Sequence, residues 1–169
     1  MAILFDAMRL LLFPALMAFA ASSDLLTMTI SNRLSLALAA GFIILVPVTG
    51  MSLSVIGMHL GAAALVLAVC FIFFIRGWIG GGDAKLAAAI ALWFGFEHLL
   101  DYLLYATLLG GALTIILLQF RRLPLPVSLA RQGWIQRLHE TGGDVPYGIA
   151  LAAAAMLIYP HTMWMPAGF

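Results

Sequence analysis

The chain has 169 residues, of which 64% are hydrophobic and only 9% charged, with mean hydropathy +1.12. A soluble domain is about 45–50% apolar and about 25% charged, so this composition describes an integral membrane protein with almost no room for a separate soluble domain. A net charge of +1 offers nothing to nucleic acid, and the single cysteine, Cys70, excludes an internal disulfide and a CxxC zinc pair.

A bilayer span needs about 20 mainly apolar residues, with a range of roughly 17–25. In chain order, six such segments are predicted, at about residues 3–21, 34–48, 53–75, 84–96, 99–120 and 145–159. The first ends in Ser22-Ser23-Asp24 and reads as a span rather than a cleavable signal. The fourth is short. The predicted fold class is therefore all-α, a polytopic membrane protein of about six transmembrane helices in one domain over residues 1–169, without a fixed-period repeat. The one long loop, about residues 121–144, contains Pro124, Pro126 and the stretch "SLARQGWIQRLHE". It predicts a short interfacial helix with Trp134 at headgroup depth, with an ordinary basic connector as the alternative.

Basic residues orient such a chain. Arg33, Arg76, Lys85, Arg121, Arg122, Arg131 and Arg137 fall in or beside loops that share one side, whereas the opposite loops, around Thr49–Ser52 and Glu97–Asp101, carry no Lys or Arg. The basic side is expected to be cytoplasmic. Arg9, the exception, lies within the first span, where snorkelling or a pair with Asp6 would accommodate it.

Two acidic residues stand at that basic-side boundary. Asp24 ends the first span, in "SSDLLTMTISNRLS", and Asp83 opens the fourth, in "GWIGGGDAKL". Two carboxylates at close range do not both ionise cheaply; one keeps a proton, and the pair becomes an acid and a base sharing a water. That arrangement hydrolyses a peptide bond without a metal or a nucleophilic side chain. The run Gly80-Gly81-Gly82 permits unwound backbone and close approach of another chain, such as a substrate strand. Simpler readings stand beside these: Asp83 as a helix N-cap, Asp24 as the mere end of a span, and Asp144, ahead of Val145-Pro146, as the N-cap of the sixth span. Helix-end charges predict that Asp83, at a helix N-terminus, is the ionised base, and that Asp24, at a C-terminal end, holds the shared proton. Lys85, if turned toward the site, would reinforce ionised Asp83.

"GGGDAKLAAAIALWFG" resembles the GxGD motif of the type IV prepilin peptidase family, polytopic membrane aspartyl proteases. "DLLTMTISNRLS" is similar to the family's other aspartate segment, with Ser31 where the family usually has proline before Asn32, and "DVPYGIALAAA" resembles its last-span motif. The small size resembles the Flp/Tad pilus branch. The resemblance implies Asp24 and Asp83 as the catalytic pair, Gly80 and Gly82 as motif glycines, Lys85 as the lysine that often follows the motif, and Tyr147 as a last-span residue able to reach the site or to anchor at the headgroups. It implies no cofactor, a site facing the cytoplasm from the bacterial inner membrane, and a prepilin substrate with a short basic leader ahead of a hydrophobic helix, with pilus assembly machinery as a further partner. Larger relatives carry an N-terminal methyltransferase segment and a cysteine tetrad; neither is present here, so the resemblance carries cleavage over and not N-methylation.

The histidines, His59, His98, His139 and His161, form no HExxH or i, i+4 pair and predict no metal site. Rival classes are a small proton- or cation-coupled transporter, since membrane carboxylates mark ion paths, and a structural membrane subunit, which would not need the GGGD segment.

Overall fold

The computed structural model describes residues 2–165 and contains no strand among them. The helices are α1 (Ala2–Thr27), α2 (Asn32–Thr49), α3 (Leu53–Ile75), α4 (Gly81–Phe94), α5 (Leu99–Phe120), α6 (Val127–Ala130), α7 (Gly133–His139) and α8 (Tyr147–Ile158), the last running into a 3-10 turn, Tyr159–His161. The all-α expectation holds.

Four helices, α1, α2, α3 and α5, are long and apolar enough to cross a membrane. Of the six expected spans, these four are supported by length and composition. The fourth and sixth segments are helical, but α4 has 14 residues and α8 has 12. At 1.5 Å per residue they reach roughly 21 and 18 Å, against a hydrocarbon core of about 30 Å. Local chemistry sets these lengths. Gly80 and Gly95, the latter at φ 61°, bound α4. Pro146 precedes α8, and Pro160 follows in the 3-10 turn that closes it.

The two short helices form the middle of the bundle. α4 packs on α3, α2 and α8, and α8 packs on α1, α5 and α4. Residues Ala84 and Leu86 through Phe94 of α4 are all buried, which explains its lack of polar periodicity: protein surrounds it. Its alanines, with those of α8, let helices approach closely. The long helices instead expose apolar side chains, among them Leu36, Ile43, Leu60, Phe71, Ile75, Leu100 and Ile116, as a lipid-facing surface does.

At the end remote from the Gly80–Gly82 run, aromatic rings lock the bundle. Trp93 lies within 4.6 Å of Trp164 and 5.0 Å of Phe13, centroid to centroid, and its Nε1 donates to Leu38 O at 3.0 Å. His59 faces Leu92 O at 2.8 Å, a core contact rather than a metal ligand. Arg9 lies 3.8 Å from Asp6, as anticipated, and also donates to Trp164 O at 3.0 Å and Met163 O at 2.8 Å, which satisfies a cation inside the first helix.

Candidate active site

At the other end, the chain leaves α1 through a tight reversal. Met28 adopts φ 54°, the left-handed region, and its N–H donates to Asp24 O at 2.8 Å. That conformation costs a non-glycine residue about 1–2 kcal/mol, and such outliers cluster at functional sites. Ser31, in place of the family's proline, caps α2 and accepts from the Arg33 N–H at 3.2 Å.

Asp24 is 4% exposed and lies on α1 one turn before its end. Asp83 is the third residue of α4, so it is not the N-cap; Gly80 occupies that position without a side-chain cap. The two aspartates line the same two cavities. One, of about 440 Å³, is bounded by Met28, Gly77 to Gly80 and Gly143 to Val145, with Tyr147 at its edge. The other, of about 260 Å³, is bounded by Met28 to Ile30 and Gly80 to Gly82. Residues 59 positions apart in sequence therefore share one polar hollow among apolar helices.

Three glycines make that hollow possible. A Cβ on Gly80 would sit 3.0 Å from Asp83 Oδ2, so the Asp83 carboxylate folds over that glycine. A Cβ on Gly82 would sit 3.1 Å from Ile30 Cβ and 3.2 Å from Ile30 O, so α4 abuts the turn after α1. A Cβ on Gly148 would sit 2.8 Å from Asp24 Oδ2 and 3.0 Å from its Cγ. Gly148 N–H in turn donates to Asp24 Oδ2 at 2.7 Å. Asp24 thereby satisfies one of the free N–H groups at the start of α8.

This geometry revises several expectations. Asp144 does not cap α8: the N-cap is Pro146, and Asp144 is exposed at the rim of the larger cavity. Lys85 turns away from Asp83; its Nζ donates to Asn32 Oδ1 at 2.8 Å, at the polar end of a separate apolar groove. Its position, two residues beyond Asp83, is the physical reason, since that spacing rotates a side chain to roughly the opposite helix face. Tyr147 packs against Gly110 of α5, with its hydroxyl 3.4 Å from Thr114 Oγ1. The 121–144 loop does form helix, as α6 and α7, with Trp134 half-buried. Its arginines do more than mark a side: Arg137 donates to Leu26 O beside Asp24, and Arg121 donates to Leu138 O and Asp144 O, each at 2.8 Å.

Met28, Gly148 and Arg121 escaped the sequence reading as site residues. Nothing in a methionine signals a left-handed conformation. Gly148 lies inside "DVPYGIALAAA", but only proximity to Asp24 reveals its use. Among the described residues, no group of three or more His, Cys, Asp or Glu gathers to hold a metal ion.

A family model described as the type IV leader peptidase family matches residues 11–115. The chain belongs to that family. The match runs from partway along α1 through most of α5, including both aspartates and the glycine run, and membership in the type IV leader peptidase family gives the chain a protease's chemistry. No curated protein and no solved structure matches it.

Proposed function

We propose that this member of the type IV leader peptidase family is a membrane aspartyl endopeptidase that removes the basic leader from Flp-like type IV prepilins. The site would face the cytoplasm from the bacterial inner membrane. The observation that carries this reading is the shared hollow of Asp24 and Asp83, at the bundle end where the basic loops lie.

The chemistry follows from two carboxyl groups and one water. The ionised carboxylate takes a proton from water, whose oxygen attacks the scissile carbonyl carbon. The protonated carboxyl hydrogen-bonds the carbonyl oxygen as negative charge develops there. The tetrahedral intermediate collapses with a proton delivered to the leaving nitrogen, and the C–N bond breaks to give a carboxylate and an amine. The 77–80 segment, extended at Gly80 (φ −71°, ψ 146°), offers backbone against which a substrate strand can lie. The substrate's hydrophobic helix remains among the spans and its leader in the water phase.

The transporter alternative draws no comparable support. Three of the carboxylates that line cavities, Asp24, Asp83 and Asp144, gather at one end; at the other, Glu97 borders only a small separate cavity, and the buried polar groups His59 and Thr162 are engaged by Leu92 O and Tyr159 O.

The deciding experiment uses the full chain in membranes with a synthetic precursor carrying a short basic leader, a glycine and an apolar helix. Asp24→Asn and Asp83→Asn are each expected to abolish cleavage while the protein still inserts, with the double variant no worse than either single one. Full processing by either variant would sink the aspartyl mechanism.

A further inference from the structure

We propose, building on the aspartate dyad above, that Gly148 and Arg121 are positioning residues for Asp24. Gly148 acts through its amide and its missing side chain; Arg121 acts by clamping the loop that delivers that amide.

Asp24 Oδ2 receives the Gly148 N–H at 2.7 Å in a buried setting. A hydrogen bond to a charged group is shorter and stronger than a neutral one, and donation to a carboxylate favours its ionised form. The start of α8 adds the partial positive charge of a helix N-terminus. A side chain at residue 148 would have to displace its neighbours: a Cβ there would lie 2.6 Å from Ile30 Cδ1 and 2.8 Å from Asp24 Oδ2. The carboxylate pose therefore depends on glycine at this point.

The amide must itself be held in place. The lead-in to α8 contains Gly142 at φ 80° and lacks a side-chain cap at Pro146; short-range bonds such as Gly143 N–H to Glu140 O shape its turns but do not tie it to the rest of the bundle. Arg121, the first residue past α5, supplies one. Its Nε and Nη2 hold the carbonyls of Leu138 and Asp144, bracketing the lead-in from both ends. The planar guanidinium suits such a two-point clamp, and a lysine ammonium does not reproduce it. An arginine that reads as a topology marker thus sets the position of the Gly148 donor.

The charged and titratable groups around Asp24 are Asp83 from α4, Asp144 and Tyr147 at the start of α8, and Arg137 of α7, which holds the Leu26 carbonyl; Lys85 is turned to Asn32. None of these is removed in a Gly148→Ala variant, which keeps its N–H but whose Cβ pushes the Asp24 carboxylate off the amide hydrogen bond. Weakening it destabilises ionised Asp24, so the acidic limb of the rate profile should move to higher pH.

The test is steady-state cleavage of the same synthetic precursor by the purified full chain in lipid nanodiscs, followed across pH. Gly148→Ala is expected to lower kcat roughly ten- to hundredfold, in line with loss of a charge-assisted hydrogen bond, with KM little changed and the acidic limb raised. Arg121→Gln is expected to shift both quantities in the same direction by less, and Arg121→Lys to recover only part. Gly111→Ala on α5, where a Cβ meets nothing within 4 Å, should match the unsubstituted protein. Normal kcat and pH profile in Gly148→Ala, or a loss confined to KM, would overturn the proposal. If that variant does not accumulate, Arg121→Gln decides alone, and an unchanged kcat and profile there overturns it. These outcomes separate from the dyad itself, whose failure would show as cleavage by Asp24→Asn.

Discussion

The Gly148 amide and the Asp24 carboxylate meet at 2.7 Å across 124 residues of sequence. The contact adds a donor that helix-end charges, taken alone, leave out of the division of labour in the dyad. Asp24 does lie near the C-terminal end of its own helix, but it faces the N-terminus of α8. We therefore expect Asp24 to be the ionised base and Asp83 to hold the shared proton, with titration belonging to the pair as a unit. Infrared difference spectra in the carboxyl-stretch region provide the check. The protonated-acid band should vanish in Asp83→Asn and persist in Asp24→Asn; the opposite pattern would restore the helix-end assignment.

The glycine run should tolerate substitution unevenly. A methyl at Gly82 meets the Ile30 backbone oxygen at 3.2 Å, and one at Gly80 meets Asp83 Oδ2 at 3.0 Å. At Gly81 the nearest atom is a Phe74 ring carbon, 3.3 Å away on an exposed side chain that can shift. Gly82→Ala is expected to cost about 1–3 kcal/mol by overpacking. Gly80→Ala should lose cleavage with less effect on stability. Gly81→Ala should stay near the unsubstituted protein in both. Thermal midpoints and cleavage rates for the three variants would show whether the ordering holds.

Orientation is open to direct labelling. Seven of the eight basic residues lie near helix ends or in the 121–144 loop on the dyad's side. Single cysteines placed at Thr49 or His98, in a Cys70→Ala background, should react with an impermeant reagent added outside intact cells, and one at Arg131 should not. The reverse pattern would put the hollow on the outer face and remove the prepilin reading.

Cleavage should need no added zinc and should proceed without methyl transfer. Mass spectrometry of the processed peptide is expected to give the unmodified mature mass, even with a methyl donor present. Inhibition by a chelator, or transfer of a methyl group by the purified protein, would contradict the two-carboxylate mechanism or the restriction to cleavage.

Much of this protein could be read in residue order alone. Long apolar runs have few stable outcomes other than bilayer-spanning helices, because backbone N–H and C=O groups find no partner in lipid. The helical segments therefore emerged near their observed limits, and a short motif, GGGD, flagged Asp83. At the short α4 and α8, apolar character signals burial by protein as readily as by lipid, and composition alone does not separate the two. Tertiary structure decided everything that depends on distance between remote residues. It set Asp24 against the start of α8 instead of Asp144, turned Lys85 to Asn32, placed Met28 in a left-handed conformation, and gave Arg121 two carbonyls to hold. Each is a short-range contact, fixed to a few tenths of an ångström by how five helices and a loop pack together, and no periodicity along the chain records that packing.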